Sequence, residues 1–325
     1  MPKVLITGAA GFIGMHTAIR FLNEGWDVIG LDNFNDYYSI ELKRDRVKEI
    51  ERMAYEFDGK FVLFEADLNS NIWSELKSYN FNAIIHLAAQ AGVRFSIENP
   101  RAYLESNILG FQSVLDFVRL NRIKSFIYAS SSSVYGKDSS SPFQEGEACN
   151  NPESYYAASK KCNEIMARSY YNTYGVSSIG LRFFTVYGPW GRPDMAPFLF
   201  ASAAFNNERI RVFNHGNQHR DFTYVDDIVE GIVRVVEFSK SQNSAKTLNI
   251  GNGSPVHLMD FIKKIEYYSK RKLKMEFCDA QVGDVEFTYA NTAELERLTG
   301  YRPSTSLENG INQFVEWYEK YYSVV

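Results

Sequence analysis

Three glycines near the start of the chain constrain its fold more than any other feature. Gly8, Gly11 and Gly14 form a GxxGxxG pattern between a short apolar run, Lys3–Thr7, and a helical pattern over Phe12–Asn23. A strand, a glycine turn and a helix in this order present unpaired backbone N–H groups to which a pyrophosphate can bind. The spacing differs from the GxGxxG form, and an ordinary glycine-rich turn is the alternative. The flanking strand and helix favour a dinucleotide-binding unit.

The first half of the chain alternates short β-rich runs with longer helical patterns such as Tyr103–Leu120. Runs of branched or aromatic residues, too short for a helix, predict buried strands at Lys3–Thr7, Asp27–Leu31, Phe61–Glu65, Ala83–His86, Phe126–Ala129 and Val176–Phe184. Alternating strands and helices build a parallel sheet with helices on both faces. The pattern therefore predicts an α/β fold with a Rossmann-like, doubly wound parallel sheet.

The alternation of strands and long helices ends after residue 186, where Pro189, Gly191 and Pro193 mark a loop and shorter elements follow. A chain of 325 residues is long for one compact core. We therefore predict an NAD-binding domain at 1–186 and a smaller α/β substrate domain at 187–325, with segments that interleave between the two.

A charged stretch at Ser39–Glu56 reads as a helix. Its many charges, among them Lys43 and Arg46, predict a helix face that is exposed to solvent.

Composition limits the class of partner and the compartment. The net charge is −4, whereas nucleic-acid-binding proteins usually carry a positive excess, so we expect no nucleic-acid partner. The three cysteines, Cys149, Cys162 and Cys278, are widely spaced and no histidine pattern accompanies them. This indicates free thiols in a reducing compartment, with neither a disulfide framework nor a metal site. No apolar run reaches membrane-spanning length, so we expect a cytoplasmic protein without a membrane partner.

Two strands end in residues suited to a dinucleotide. Asp32 follows the second predicted strand, where a carboxylate can accept hydrogen bonds from the adenosine ribose. Its charge would repel a 2′-phosphate, which favours NAD over NADP. A helix cap or a turn is the alternative for Asp32 alone. Asp67 and Leu68, after the third strand, are candidates for contact with adenine.

Tyr156 and Lys160 lie four residues apart in a predicted helix, so their side chains project from one face. A nearby ammonium lowers the pKa of a tyrosine, which makes the phenol a usable general base. The pair alone is a weak signal because the chain holds 21 tyrosines. A serine run at 130–133 follows the fifth predicted strand, at the sheet edge where ligands bind. The order of glycine turn, acidic strand end, serine and YxxxK strengthens the inference.

These features resemble the extended short-chain dehydrogenase/reductase family. Longer strings resemble one branch of it, the UDP-glucuronate 4-epimerases, and the resemblance runs from Lys3 to near the C-terminus. The strings are DNFNDYYSIELKRDR at 32–46, HLAAQAGVRFSIENP at 86–100, LRFFTVYGPWGRPDMA at 181–196, RDFTYVDD at 220–227 and NIGNGSPVHLMDF at 249–261.

The resemblance implies an isomerase that interconverts UDP-glucuronate and UDP-galacturonate through a 4-keto intermediate with tightly bound NAD. It implies Tyr156 as the base and Lys160 as the residue that binds the ribose and lowers the pKa of the tyrosine. It implies Ser131 as the catalytic hydroxyl, with Ser132 left as an alternative. The implied cofactor-binding residues are Gly8, Gly11, Phe12, Ile13, Gly14, Asp32, Asn33, Asp67, Leu68, Gln90, Tyr156 and Lys160. The implied substrate-binding residues are Arg94, Ser131, Ser132, Thr185, Arg192, Arg220 and Asp284.

Some alternatives stay open at this point. Arg94 could instead pair with Glu98. Val282 stands where relatives have Pro or Arg, so phosphate contact from that loop is an open question. A UDP-glucuronate decarboxylase, another nucleotide-sugar oxidoreductase, an epimerase of a neutral UDP-hexose or a non-catalytic NAD sensor would share the cofactor site. The resemblance also implies polysaccharide biosynthesis and a homodimer formed through Tyr103–Leu120 and Ser154–Tyr174.

Overall fold

The structure, a computed structural model, describes residues 1–137, 139–280 and 285–324. Its strands, in chain order, are β1 Lys3–Thr7, β2 Asp27–Asp32, β3 Phe61–Glu65, β4 Ala83–His86, β5 Ser125–Ser131, β6 Ser178–Phe183, β7 Thr185–Tyr187, β8 Arg209–Val212, β9 His219–Arg220, β10 Phe222–Tyr224, β11 Ala245–Ile250, β12 Val256–His257 and β13 Lys274–Phe277. Within the described ranges, seven of these strands form one parallel sheet in the order β11-β6-β5-β4-β1-β2-β3.

Helices connect most of the strands. They are α1 Phe12–Asn23, α2 Ile40–Glu56, α3 Trp73–Leu76, α4 Phe95–Glu98, α5 Pro100–Tyr103, α6 Gly110–Leu120, α7 Tyr155–Tyr174, α8 Ala196–Asn206, α9 Val225–Ser239, α10 Leu258–Ser269, α11 Ala293–Thr299 and α12 Leu307–Tyr322. A π-helical turn at Leu104–Leu109 joins α5 to α6. In the part of the chain that the structure describes, no helix combines the length and the apolar character needed to cross a membrane.

The sheet is buried on both faces because successive strand side chains point in opposite directions. In β1, Val4 and Ile6 join an apolar cluster that includes side chains of α1 and α9. Leu5, between them, joins a second cluster on the other face with side chains of α6. A central strand with buried side chains on both faces of the sheet is typical of a doubly wound fold. The predicted Rossmann-like α/β fold is confirmed.

Elements from the second half of the chain complete the sheet and add a smaller layer. Strand β11 pairs with β6, and α9 packs against α1. The other late strands form two-stranded pairs, β7 with β10, β8 with β13 and β9 with β12. Helices α8, α10 and α12 pack on one another beside these pairs. The sequence after residue 186 therefore contributes both to the main sheet and to the layer beyond its carboxyl edge.

The stretch Tyr103–Leu120 is helical as predicted, but it is not α-helical throughout. The chain widens into the π-helical turn between α5 and α6, where Asn107 turns inward and becomes buried. The Asn107 side chain accepts a hydrogen bond from Gln90 N at 2.8 Å and donates one to Gln90 O at 2.9 Å. Such π-helical turns are frequent at functional sites. The turn fixes the segment that follows β4.

Three predicted strand boundaries also differ from the structure. Strand β2 continues to Asp32, and β5 extends from Ser125 to Ser131 rather than over Phe126–Ala129 alone. Strand β6 is shorter than the predicted Val176–Phe184. The extension of β5 has a physical reason: its pairing with β6 continues to Ser131, so polar residues at its end keep a strand partner.

The charged helix is not a wholly solvated one, which corrects the expectation for 39–56. Ser39 caps α2 by accepting a hydrogen bond from Leu42 N. Lys43 and Arg46 are buried, with 4% and 0% of their surface exposed. They share a helix face with buried apolar residues such as Ile50, because positions three and four apart lie on the same side of a helix.

Candidate active site

A cavity of about 340 Å³ opens at the carboxyl edge of the main sheet. Loops that follow parallel strands converge at this edge, which is where open α/β sheets bind ligands. Most of the residues predicted for the site line this cavity. They are Gly8, Gly11, Phe12, Ile13, Gly14, Asp32, Asn33, Asp67, Leu68, Gln90, Ser131, Ser132, Tyr156, Lys160, Thr185 and Arg192.

The glycine turn has no room for side chains. Gly8 has φ +74, and a Cβ there would lie 2.7 Å from Ala88 N. A Cβ on Gly14 would overlap Gly8 O, because the first turn of α1 packs directly on the turn that precedes it. Gly11 is the N-cap of α1 and supplies no side-chain hydrogen bond to the first N–H groups. The backbone therefore forms a cradle of the kind that accepts a pyrophosphate.

Asp32 lies beside this turn, and both of its carboxylate oxygens accept hydrogen bonds from backbone N–H groups. Oδ2 accepts a hydrogen bond from Ala10 N at 3.1 Å, and Oδ1 accepts one from Phe34 N at 2.9 Å. Burial raises the pKa of Asp32, while the hydrogen bond from Phe34 N–H and the charge of Lys43 lower it. A carboxylate has about four acceptor positions, so two bonds to the backbone leave room for ribose hydroxyls. This arrangement fits the ribose of a dinucleotide.

Tyr156 lies in the first turn of α7, which begins after Ser154. The Ser154 side chain caps the helix by accepting a hydrogen bond from Ala157 N at 3.1 Å. Burial raises the pKa of the Tyr156 phenol, while a hydrogen bond with Ser131 and the positive charge of Arg192 lower it. The hydroxyl that meets Tyr156 is that of Ser131, at the end of β5.

Lys160 follows Tyr156 by one turn and is also buried. Its Nζ donates a hydrogen bond to Ala129 O at 2.9 Å. Burial lowers the pKa of Lys160 to about 8. Ser131 and Arg192 offset the effect of burial on the pKa of Tyr156. Lys160 contacts the end of β5, and its predicted role in tuning the phenol stays a prediction.

Arg192 approaches the cavity from the loop that follows β7. Its guanidinium binds Asp194 through Nε at 3.0 Å and through Nη2 at 2.5 Å. The hydroxyl of Tyr37 donates to the same carboxylate at 3.1 Å. Tyr37 follows β2 and also lines the cavity. A cation from the second half of the chain is thus held in the cavity that the glycine turn and Tyr156 also line.

The structure does not bring every predicted residue to the cavity. The Arg94 guanidinium lies 4.7 Å from the centre of the Phe213 ring, and no ion pair with Glu98 forms among the described residues. Arg220 donates through Nη1 to the carbonyls of His219 and Glu286. Neither arginine lines the cavity. Asp284, like Val282, lies outside the described residues. Substrate contact by these three predicted residues stays a prediction.

Sequence reasoning missed several polar residues that line the cavity, namely Asn35, Tyr37, Tyr38, Lys43 and Ser106. Lys43 Nζ donates to Asn35 O at 2.5 Å and to Asn35 Oδ1 at 2.8 Å, which holds the loop after β2 against α2. A signal for Lys43 was present in its spacing, because it falls on the same helical face as Val47 and Ile50. No comparable pattern marks Tyr37 or Ser106, which the tertiary fold brings to the cavity.

Comparison with known proteins agrees with this geometry. Residues 4–251 match the model of the NAD dependent epimerase/dehydratase family. Protein CapI of Staphylococcus aureus is 48% identical over 98% of this chain and 99% of its own length. A probable UDP-glucuronate 4-epimerase of Rhizobium meliloti is 40% identical over 98% of each chain. A crystal structure of UDP-glucuronic acid 4-epimerase from Bacillus cereus, in complex with UDP-glucuronic acid and NAD, superposes with a TM-score of 0.88. Its sequence is 30% identical, and the match covers 98% of this chain and 100% of that one. The chain belongs to the NAD dependent epimerase/dehydratase family.

Proposed function

We propose that this protein catalyses the reversible C4 epimerisation of UDP-glucuronate to UDP-galacturonate, through a 4-keto intermediate and with bound NAD. The observation that carries the proposal is that the Tyr156–Ser131 pair lines the same cavity as the glycine turn. A base and a dinucleotide site in one cavity suit oxidation and reduction of the same carbon. The relatives that bear this activity in their names match nearly the whole chain.

The residues present fit NAD. The glycine turn would hold the pyrophosphate, where a Cβ at Gly8 or Gly14 would fill the cradle. Asp32 would accept hydrogen bonds from the ribose, and its charge favours NAD over NADP. Bound NAD supplies a reversible two-electron acceptor for the hydrogen on C4.

The chain's own residues would move the proton. In its phenolate form, Tyr156 would take the proton from O4 of the sugar, and Ser131 would share that hydrogen bond. A phenol buried in this way is a poor base, so the two groups that lower its pKa, Ser131 and Arg192, matter for the rate. After the 4-keto sugar has flipped its orientation within the cavity, Tyr156 would return the proton to O4. The overall reaction then consumes neither oxidant nor reductant.

The substrate side of the cavity combines neutral donors with one cation. Thr185 and Ser132 provide hydroxyl groups, and Arg192 provides a guanidinium that suits an anionic group of the nucleotide sugar. A 4-keto uronate is a β-keto acid and loses CO₂ readily. An epimerase must hold the carboxylate out of the geometry that favours decarboxylation. Hydroxyl donors can do so and still allow the sugar to change its orientation, because they bind the carboxylate less firmly than a full positive charge would.

The decisive experiment is incubation of the purified protein with UDP-glucuronate and analysis of the products by NMR. The proposal expects UDP-galacturonate, formed without added reductant. A UDP-pentose would indicate a decarboxylase instead. Turnover of UDP-glucose in preference to UDP-glucuronate would indicate an epimerase of neutral hexoses. Tighter binding of NADP than of NAD would contradict the role of Asp32.

We also infer that the protein is a cytoplasmic homodimer that acts in polysaccharide biosynthesis. We infer as well that the chain divides at residue 186 into cofactor and substrate domains. The exposed apolar side chains of Leu109 and Ile165, on the helical segments predicted for the interface, support the dimer.

A further inference from the structure

Arg46 on α2 is fully buried and uses its whole guanidinium to bind oxygen atoms of three separate loops. Nη1 donates to Ala10 O at 3.1 Å and to Tyr38 Oη at 2.7 Å. Nε and Nη2 donate to Trp190 O at 3.1 and 2.7 Å, and Nη2 also donates to Gly191 O at 3.1 Å. The five N–H groups of a guanidinium are thus matched by five hydrogen bonds.

No carboxylate accepts a hydrogen bond from Arg46 among the residues that the structure describes. A buried charge without a bonded counter-ion is costly unless its donors are satisfied. The carbonyl and phenol oxygens satisfy them here, and the charge of Arg46 offsets a small part of the rise that burial causes in the pKa of Asp32. A lysine could not replace this arrangement, because an ammonium has only three donors and no planar fork.

The three loops belong to different parts of the site. Ala10 lies inside the glycine turn, between Gly8 and Gly11. Tyr38 lies in the loop after β2, next to Tyr37, which binds Asp194. Trp190 and Gly191 lead directly to Arg192, whose side chain lines the cavity.

The backbone at Trp190 depends on this contact. Trp190 has φ +61, in the left-handed region that a residue with a bulky side chain rarely adopts. Arg46 binds its carbonyl twice, and His16 Nε2 lies 2.9 Å from the preceding carbonyl, that of Pro189. Such a conformation persists only where surrounding contacts determine it. The loop that carries Arg192 is therefore fastened to α1 and α2 on the cofactor side.

We propose that Arg46 is a positioning residue, which fixes Arg192 relative to the cofactor turn. It does not line the cavity itself, and it acts by holding Trp190 and Gly191 at a set distance from Ala10. The guanidinium of Arg192 then meets the anionic part of a nucleotide sugar in the geometry that the base requires. This inference rests on the proposed function and deepens it, since it names what aligns the substrate side with the cofactor side.

The test is a double-mutant cycle of Arg46→Lys and Arg192→Gln. The measurements are kcat and KM for UDP-glucuronate, the Kd for UDP by calorimetry, retained NAD and the melting temperature. In the otherwise native chain, Arg46→Lys is expected to raise KM and the Kd for UDP by about 10-fold, because a small misplacement of a binding group has large effects. With Arg192→Gln present, the same change is expected to alter KM and Kd by less than about 2-fold, since residues that act through one another are not additive.

A purely structural role predicts a different result. Arg46→Lys would then lower the melting temperature while KM and Kd stay unchanged, or its effects would add to those of Arg192→Gln, and either outcome overturns the proposal. Arg52→Lys is the matched control, because Arg52 lies on the exposed side of the same helix and forms ion pairs with Glu49 and Glu56 of that helix. It is expected to leave all these quantities unchanged.

A gentler variant covers the case in which Arg46→Lys does not fold. Tyr38→Phe removes one acceptor of Arg46 and keeps the ring. It is expected to change KM and Kd in the same direction by a few-fold, and to lose this effect when Arg192→Gln is present. Persistence of the effect in the double variant would contradict the proposal. If wild-type protein binds UDP but does not epimerise UDP-glucuronate, the proposed function fails, while the cycle on UDP binding still decides the role of Arg46.

Discussion

At the scale of single residues, the site depends on opposing influences on one phenol. Burial raises the pKa of Tyr156, and the Ser131 hydroxyl and the charge of Arg192 lower it. The sequence predicted the tyrosine and the serine correctly as neighbours, because the YxxxK spacing and the strand end have defined positions. It did not predict that Lys160 would bond to Ala129 O, since spacing gives the face of a helix and not the group that a long side chain reaches.

Replacing Tyr156 with phenylalanine removes the ionisable oxygen and little volume. We expect kcat for epimerisation of UDP-glucuronate to fall by ~10²–10⁴-fold, the usual cost of losing a general base. Folding and retention of NAD are expected to survive, because the ring stays in place. Steady-state kinetics, circular dichroism and the absorbance of released NAD measure these quantities. Near-normal turnover in the folded variant would exclude Tyr156 as the base.

Arg192 offers a test through pH. Its positive charge lowers the pKa of Tyr156, so Arg192→Gln is expected to raise that pKa. The reactive form of Tyr156 is the phenolate, and the rising limb of kcat against pH should therefore move to higher pH in the variant. Lys161→Gln is the control, because Lys161 interacts with Glu164 away from the phenol. A limb that stays in place, or moves to lower pH, would show that Arg192 does not tune the base.

At the scale of elements, the parts most predictable from sequence are those whose signal is local. The first four strands of the sheet and α1 follow from short apolar runs, glycine punctuation and helical spacing, and the structure reproduces them almost residue for residue. The π-helical turn was not predicted, because the hydrogen bonds of its buried Asn107 go to Gln90 on a different element. The small strand pairs β7–β10 and β9–β12 are likewise fixed by distant partners.

The glycine turn allows a direct test of whether the cofactor site depends on the absence of side chains there. A Cβ at Gly14 would overlap Gly8 O, a backbone atom that cannot move without shifting the turn. Gly14→Ala is therefore expected to abolish retention of NAD and to lower the melting temperature. Gly146→Ala is the control, because a Cβ there meets nothing within 4 Å. Absorbance and thermal melting of the two purified variants make the comparison. Full retention of NAD in Gly14→Ala would refute the role of the cradle.

A buried ion pair joins helix α7 to β6, next to the contact that Lys160 makes with β5. Glu164 accepts hydrogen bonds from Arg182 at 2.8 Å and from Ser130 Oγ at 2.7 Å. Burial raises the pKa of Glu164, but the bonds from Arg182 outweigh it and the pKa is lowered overall. The resulting stabilisation is present above the pKa of the unfolded carboxyl. It is lost as the pH falls through the lower pKa of the folded one.

Removal of one partner tests how much this ion pair contributes to the free energy of unfolding. Glu164→Gln leaves Arg182 buried without its counter-ion, which typically costs ~3–5 kcal/mol. We expect the urea midpoint at neutral pH to fall accordingly, and the double variant Glu164→Gln, Arg182→Met to recover part of the loss. Arg101→Gln breaks an exposed pair with Glu105 and is expected to leave the midpoint unchanged. Equal midpoints for Glu164→Gln and wild type would mean that the pair contributes nothing.

At the scale of the whole molecule, two apolar clusters on opposite faces of the sheet account for the fold, and loops at one edge account for the site. The sequence predicted this architecture because alternating strands and helices have few ways to bury both faces. It did not predict which charged side chains would be buried. The charge pattern predicts exposed side chains at Arg46 and Lys43, whereas both are buried. Arg46 contacts Trp190, 144 residues away along the chain, and Lys43 contacts the nearby turn at Asn35. A charge pattern reveals neither contact.

The surface of the molecule leads to the last prediction. Leu109, in the π-helical turn, and Ile165, on α7, are 51% and 59% exposed, on the two helical segments predicted for the homodimer. Side chains of this size on adjacent helices gain free energy when a second copy covers them. We expect the wild-type protein to sediment as a dimer, and Leu109→Asp with Ile165→Asp to sediment as a monomer, because two charges on each copy would have to be buried. Tyr267→Asp is the control, since Tyr267 is 76% exposed on α10, away from these segments, and should leave the dimer intact. A wild-type monomer, or a dimer that survives both substitutions, would remove these helices from the interface.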